Sequence, residues 1–426
     1  MESEGYDVLV VGGGPAGMMA AGRAAERGKR VLLLEKNRRV GEKLRISGGG
    51  RCNITNAEED VRVLLRAYGN AEQFLYSTFA QFDNKNTFSF FEKEGLPLVV
   101  QARKRAFPNT ECAADVVQTM EKYIRAKGVT IKTGAEVTSV QSDSSGITGI
   151  VCGPFDKAQG KQTVYTAKEY IFATGSVSHP ETGSTGDGFN WLTKLGHTVH
   201  QPTPTIVPIK VKDEWAHLLS GTSLSFMKIT FFVDADGTPK KSFSKTGKLL
   251  FTHFGLSGPL ILNSSSKVQD LLYAGTVTAT IDPYPDTDLG ALEKNILAIF
   301  DANKNKALKN ILKEAVPHGT VKGILALLEG KIDTAKKVHS VSRDERKLIA
   351  RFLKALPLTI EGLMGFDRAV IADGGVPLDE VDTKTMRSLK VPNLFLTGDL
   401  LHINRPSGGY SLQLCWTTGF VAGSHV

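Results

Sequence analysis

Tyr6–Val11 (YDVLVV) is a short apolar run rich in β-branched residues, the pattern of a strand buried on both faces of a parallel sheet. Helix formers fill residues 16–27 and Gly28 stops them. Residues 30–34 (RVLLL) then read as a second strand that ends in Glu35. Over residues 72–95, Phe74, Leu75, Phe79, Phe82, Phe88, Phe90 and Phe91 recur at helical spacing and predict packed helix. An amphipathic helix follows at 113–127, closed by Gly128. Four strand-like runs come next, at 129–133, 136–142, 147–152 and 163–172, with a polar hairpin tip at 153–162 and a helix at 189–195. Near residue 200 the pattern changes. Gln201-Pro202-Thr203-Pro204 reads as a linker, strand-like runs continue at 206–211, 227–233 and 277–281, and 289–354 is helical and Lys-rich. Residues 393–397 (NLFLT) form one more buried-strand run, and an apolar helix closes the chain as far as Gly423.

The junction between the first strand and first helix carries the chemistry. Gly12-Gly13-Gly14-Pro15-Ala16-Gly17 is a complete G-x-G-x-x-G in strand–turn–helix context, and Glu35 lies 18 positions beyond Gly17. Gly12 permits a tight turn, Gly14 lets the backbone approach a pyrophosphate, and Gly17 lets helix and strand pack closely. Pro15 and Ala16 open a helix whose first N–H groups meet phosphate charge. Glu35 is placed to accept hydrogen bonds from a ribose diol. The acid is followed by Lys36-Asn37-Arg38-Arg39, Gly41-Glu42-Lys43 and then ISGGGRCNITN at 46–56. Those glycines offer backbone N–H groups to phosphate, and Lys43 and Arg51 can add charge. This second clamp is the pattern of an FAD site, the cofactor bound non-covalently.

Composition narrows the field. The chain has 426 residues, 41% hydrophobic and 23% charged, ordinary for a globular protein of two or three domains. Its net charge of +8 is spread over many positions, with Arg103-Lys104-Arg105 the one dense run, so a phosphate-rich cofactor explains it better than nucleic acid does. Cys52, Cys112, Cys152 and Cys415 lie far apart, which argues against a metal site or redox disulfide and suits a reducing compartment. The acidic start lacks a signal-peptide layout, and no apolar run approaches the roughly 20 residues of a membrane helix. The expectation is a cytoplasmic protein in which the Asn53-Ile54-Thr55 sequon is not glycosylated, with a small-molecule substrate and no membrane partner.

Residues 10–17, Glu35-Lys36, Gly41-x-Lys43 and Ser47-Gly48-Gly49-Gly50-Arg51-Cys52-Asn53-x-Thr55-Asn56 resemble a family of bacterial NAD(P)/FAD-dependent oxidoreductases, aminoacetone-oxidase-like or dehydro-bile-acid-reductase-like. Arg103–Pro108 and residues 250–259 resemble further elements of it. The resemblance implies that Ser47, Gly48, Gly49, Arg51, Cys52, Asn53 and Thr55 line FAD, with Lys36 and Lys43 beside them. It also implies a glutathione-reductase-like crossover, in which Val137 touches the adenine through its backbone and a strand runs into Thr174-Gly175. Gly183–Gly188 follows no apolar strand and is expected to be a turn. In folds of this kind the acid after the last strand, here Gly398-Asp399, binds the ribityl chain, and a helix N-terminus at Gly409, Tyr410, Ser411 and Leu412 faces the flavin pyrimidine. Asp399 stands where Glu is expected, Arg387 where many relatives have an acid, and His402 where Asp is usual. Cys52 is expected to be a small residue in a crowded loop rather than a redox thiol, and His253 a packed histidine rather than a catalytic one.

The expected fold is therefore α/β: a discontinuous Rossmann-like FAD-binding domain (1–200 and 357–426) carrying a β-rich insert (201–285) and a helical insert (286–356). The expected function is FAD-dependent redox chemistry, with no catalytic side chain assigned. NAD(P)H-driven reduction of an activated C=C bond in a small organic substrate is preferred. The alternatives are an O2-dependent oxidase of a small amine and, in another class, a flavin-bearing RNA-associated or assembly factor.

Overall fold

In the computed structural model, which describes residues 5–153 and 162–426, Tyr6–Val11 (β1) is the middle strand of a five-stranded parallel sheet. Across the sheet the order is Leu394–Leu396, Ala167–Phe172, β1, Val31–Glu35 (β2) and Thr130–Thr133. β1, β2 and Leu394–Leu396 are apolar without alternation because both faces are covered, whereas the edge strand Thr130–Thr133 alternates. Val8–Val11, Leu32–Leu34 and Leu394–Leu396 are all buried. Pro15–Glu26 (α1) packs against the C-terminal helix Tyr410–His425, and small residues set how closely they approach. A Cβ on Gly419 would sit 2.4 Å from the Ala16 carbonyl oxygen, and one on Gly423 would sit 2.4 Å from that of Ala20.

Several elements depart from the sequence pattern for local reasons. The run at 163–172 is two strands. Thr163–Tyr165 joins the antiparallel meander of Val137–Asp143 and Gly146–Cys152, while Ala167–Phe172 enters the parallel sheet. Of the expected hairpin tip, residues 154–161 lie outside the described residues. The helical stretch at 72–95 breaks into Glu72–Gln81 and Asn84–Lys93, because Asp83 caps the second helix in a reciprocal box with Asn86. The linker at 201–204 lies within the strand His200–Thr205, which pairs with Ile371–Gly375.

The chain divides into two compact units, Met1–Pro204 with Val370–Val426, and Thr205–Ala369. The second is built on a closed six-stranded barrel, in order Ile209–Val211, Gly255–Ser257, Lys240–Thr252, Ser223–Asp234, Thr276–Asp282 and Leu356–Leu363. Its helices Leu289–Ala302, Leu308–Ala315, Val321–Leu328 and Arg343–Lys354 share one core with the barrel. Two boundaries therefore differ from those expected at 286 and 357. The helices are part of the barrel's own unit, and residues 357–363 are the strand that closes the barrel, so the return to the first unit begins at Val370.

Candidate functional site

In an open parallel sheet, ligands gather beyond the C-terminal ends of the strands. Gly12 follows β1 there, Glu35 ends β2, Ala173-Thr174-Gly175 follows Ala167–Phe172, and Thr397-Gly398-Asp399 follows Leu394–Leu396. Close packing fixes this cluster. A Cβ on Gly12 (φ +105°) would meet the Ala173 carbonyl oxygen at 2.5 Å, and one on Gly17 would meet the Gly12 carbonyl oxygen at 1.9 Å. Gly14 is different. Its φ of −77° is open to any residue, and a Cβ there would touch nothing within 4 Å. Neither backbone nor packing requires that glycine, so the space it keeps clear is space for something else. It caps α1, which has no side-chain cap and no acid in its first turn, leaving the helix's positive end for an anion.

The Glu35 carboxylate accepts the Gly13 N–H at 2.7 Å and the Asn37 N–H at 2.8 Å. Burial raises its pKa, and those two donors oppose the rise. The group is thus held rigidly beside the glycine turn, with lone pairs to spare for a diol. The Ala135 N–H donates to the Glu35 carbonyl at 2.9 Å, so the meander that begins at the buried Val137 is tied to the same strand end. Gly175 turns the chain with φ +71°, and Thr174 sits so close to Gly188 that a Cβ there would lie 2.1 Å from its hydroxyl. Gly183–Gly188 is a turn leading into the helix Asp187–Lys194. It holds Lys36, whose ammonium donates to Thr185 at 2.6 Å and to Asp187 at 2.8 Å.

The glycine-rich stretch at 46–56 is a folded flap. Gly48, Gly49 and Gly50 all have positive φ and are exposed, with open space above Gly49 and Gly50. Ser47 donates to the Leu44 carbonyl at 2.7 Å, and the Cys52 N–H closes the turn onto the Ser47 carbonyl at 3.0 Å. Cys52 is buried and burial pushes its thiol up to about 12, so it stays neutral near pH 7. Arg51 is engaged by protein neighbours. Its guanidinium lies 4.6 Å over the Phe107 ring and reaches Gln101 and Glu111 at 3.4 Å.

The flap is fastened to the C-terminal helix. The Asn53 amide oxygen accepts the Gly409 N–H at 2.9 Å, and a Cβ on Gly409 (φ +100°) would collide with the Thr55 carbonyl carbon at 2.3 Å. Thr55 donates to the Gln413 amide oxygen at 2.5 Å, and Thr87 donates to the same oxygen at 3.0 Å. Tyr68 donates its hydroxyl to the Tyr410 carbonyl at 2.9 Å, fixing the helix start that carries Ser411 and Leu412.

Arg405, Gln413 and Ser178 were not legible as site residues. Arg405 is buried, forms an ion pair with Asp399, and reaches the Ser411 hydroxyl at 3.1 Å. Lys43 donates to Ser178 at 3.1 Å, and burial lowers its pKa while the Asp399 charge opposes that. No motif relates these positions. His253 differs from expectation: it is exposed at a barrel turn, against the edge of Phe254, and donates or accepts no side-chain hydrogen bond among the described residues.

The residues present fit FAD: a clear cradle at Gly14 on an uncapped helix end, an acid held at the end of β2, and a second glycine clamp. Fold and cradle define a Rossmann-type FAD-dependent oxidoreductase. The chain belongs to the family described as HI0933-like protein Rossmann domain, whose model matches residues 6–425. Among its relatives is a 3-dehydro-bile acid delta(4,6)-reductase of Clostridium scindens, 27% identical, with 97% of each chain covered. A ribosomal RNA dihydrouridine synthase of Escherichia coli is 28% identical over 98% of this chain and 97% of its own. A solved 3-ketosteroid-delta4-(5alpha)-dehydrogenase from Rhodococcus jostii shares the fold, with TM-score 0.53, 16% identity, and coverage of 100% of this chain and 97% of its own. No helix among the described residues is long and apolar enough to cross a membrane, and none of their His, Cys, Asp and Glu groups could hold a metal ion.

Proposed function

We propose that this FAD-dependent oxidoreductase reduces a C=C bond conjugated to a carbonyl, with NAD(P)H as a transient hydride donor. The observation that carries the cofactor assignment is Gly14, a glycine the apoprotein does not need, set at the uncapped start of α1. The N–H groups of that first turn neutralise the pyrophosphate, and Glu35 accepts from the ribose. Asp399, oriented by Arg405, accepts from the ribityl chain. The helix N-terminus at Gly409–Leu412 would lie toward the flavin pyrimidine, where its N–H groups would favour negative charge. FAD, when bound, supplies hydride exchange, and the protein supplies position and electrostatics.

Two full-length relatives support the choice of bond. One is named as a delta(4,6)-reductase, and the other as a synthase of dihydrouridine, which differs from uridine in a saturated C5–C6 bond next to a carbonyl. Both names describe hydride addition to an electron-poor alkene. The chain has one complete dinucleotide fingerprint, so the nicotinamide donor must bind and leave without a second Rossmann turn. Anaerobic mixing of the purified yellow protein with NADH or NADPH should bleach the flavin band. A cyclic enone such as 2-cyclohexenone, or an enone steroid, should then restore it under argon. Reoxidation by air alone, together with turnover of a small amine, would establish the oxidase chemistry and overturn the proposal.

A further inference from the structure

The hairpin turn at 102–104 carries residues that its backbone does not suit. Arg103 and Lys104 have φ of +62° and +57°, in the left-handed region that glycine enters freely and other residues enter at a cost. The strain is imposed by neighbours. The Asn56 amide donates to the Arg103 carbonyl at 3.3 Å and to the Gly408 carbonyl at 3.1 Å, and the Ala57 N–H donates to the Lys104 carbonyl at 2.6 Å. Glycine would serve the turn better at both positions, so the two side chains are there for what they do. For Lys104 the reason is visible, since its ammonium donates to the Glu58 carboxylate at 2.7 and 2.8 Å. Arg103 has no such reason within the protein. Its side chain is exposed and makes no hydrogen bond or ion pair among the described residues.

Beneath that tip, Leu98–Gln101 and Arg105–Pro108 pair antiparallel, with Gln101 opposite Arg105 and Val99 opposite Phe107. Alternation along the strands puts these four side chains on one face. Phe107 is buried there, with the guanidinium groups of Arg51 and Arg105 at 4.6 Å and 5.7 Å from its ring centre. The Arg105 Nε–H donates to the Ala102 carbonyl at 3.1 Å, which steadies that side chain, and Val99 is exposed on the same face. The acid that meets this face is Glu111. Arg51 reaches it at 3.4 Å with the two side chains 41% and 45% exposed, a screened pair that a stronger anion can displace. Three guanidinium groups thus stand against one carboxylate. We propose that this face binds the adenosine 2′-phosphate end of NADPH. The proposal rests on the reductase reading above and names its donor. A ribose 2′-phosphate is a compact dianion that guanidinium forks match in shape and charge, and Arg51, stacked on Phe107, offers its solvent side to the adenine. A donor without a second glycine fingerprint has no helix end to hold its phosphates, so side chains must hold it. FAD carries no 2′-phosphate and has no claim on Arg103. Arg51 follows Gly50 directly, which sets the bound donor at the edge of the glycine flap.

The test uses the full-length, FAD-loaded protein and the variants Arg103→Gly and Arg103→Gly/Arg105→Gln. Adenosine 2′,5′-bisphosphate and 5′-AMP are titrated into each by calorimetry. The wild type should bind the bisphosphate at least about tenfold more tightly than 5′-AMP, as one charge-assisted hydrogen bond to phosphate allows. Arg103→Gly should lose most of that difference and the double variant all of it. The melting temperature of Arg103→Gly should not fall, because glycine relieves the φ of +62°. Anaerobic bleaching of the flavin should half-saturate at lower NADPH than NADH in the wild type, by at least about the same tenfold, and at equal concentrations in the double variant, with FAD content unchanged. If neither nicotinamide bleaches the flavin, the reductase reading falls, and the bisphosphate titration still decides the site. Equal affinity of the wild type for the bisphosphate and 5′-AMP would overturn the proposal. So would displacement of the bisphosphate by inorganic phosphate at the same concentration, or variants that keep the wild-type preference.

Discussion

Gly14→Ala separates what the cofactor needs from what the fold needs. The φ of −77° suits alanine, and the new Cβ meets nothing within 4 Å. The apoprotein should therefore lose no stability, and a smaller unfolded-state entropy could add about 0.4–1 kcal/mol. The same methyl stands over the first turn of α1, where a phosphate must approach the N–H groups. Forcing that phosphate back forfeits at least one charge-assisted hydrogen bond of about 1.5–3 kcal/mol, so FAD affinity should fall roughly ten- to hundredfold. Gly14→Val, with two more carbons in the same space, should abolish binding. Gly17→Ala is the contrast: its Cβ would lie 1.9 Å from the Gly12 carbonyl oxygen, so it should lower the melting temperature with or without FAD. Apoprotein prepared by chaotrope wash, titrated with FAD by fluorescence and melted alone, gives both quantities. An unchanged FAD affinity in Gly14→Ala, or an apoprotein melting loss as large as that of Gly17→Ala, would refute the assignment of the cradle.

Cys52→Ser should keep FAD and most turnover, because the buried thiol is neutral; a loss beyond about a hundredfold, roughly 2.7 kcal/mol of barrier, would show otherwise. Asp399→Ala strands the buried Arg405 guanidinium, so it should cost about 3–5 kcal/mol of stability as well as cofactor affinity, and Asp399→Ala/Arg405→Met should recover the stability alone. His197 is buried between Glu380 at 2.7 Å and Ser388 at 2.8 Å. Burial lowers the histidine pKa, and burial of Glu380 is outweighed by its Lys390, Thr198 and His197 partners, which hold it down to about 2. Both folded values lie below the unfolded ones, so stability is complete above about pH 6.5 and is lost as pH falls, first through the histidine and then between about 4.5 and 2. Melting temperatures across that range check it: they should decline in acid, and less steeply in His197→Gln. Gln413→Leu takes the acceptor from the buried Thr55 hydroxyl, while Thr87 keeps the Asp83 carbonyl at 3.1 Å, so the cost should be about 1–3 kcal/mol, which thermal melts should register; an unchanged melt would mean that these bonds contribute nothing.

The first sixty residues were legible because each demand on them is local. A strand buried on both faces reads as YDVLVV, a tight turn against Ala173 reads as Gly12, and a helix must start and stop within a few positions. The barrel was harder to see. Lys240–Thr252 (KKSFSKTGKLLFT) has one wall facing solvent, and its polar half hides a strand whose evidence lies in its pairing with Ser223–Asp234. Residues 357–363 were assigned to the wrong unit for the same reason: nothing within LPLTIEGL says that it closes a barrel begun at Ile209. Arg405 and Gln413 escaped notice because their partners are distant in sequence or lack motif spacing. The Lys-rich character of 289–354 was legible, but the backbone pairing of 303–309 with 334–340 that gathers several of those lysines was not.

The two ends of the chain pack into one unit, and this explains why the motifs are densest there. The flap at 46–56 exposes its glycines on one side, so it cannot be held by a core of its own. It is held by the last helix instead. Trp416 donates to the Ile54 carbonyl at 3.1 Å, Gln413 accepts from Thr55 and Thr87, and Thr417 donates to the Phe82 carbonyl at 2.8 Å. Those bonds are buried, where an unmade one is expensive. The helix in turn can approach α1 only because Gly419 and Gly423 lack side chains. An insert of 165 residues between the two halves adds little to the entropy of closing them, since that cost grows only with the logarithm of loop length. The barrel unit also folds on a core of its own, so the ends it joins are brought back by structure rather than by chance. On the proposed reading, a second clamp built this way forms only once the helix Tyr410–His425 has packed, which ties cofactor affinity to the folding of those sixteen residues.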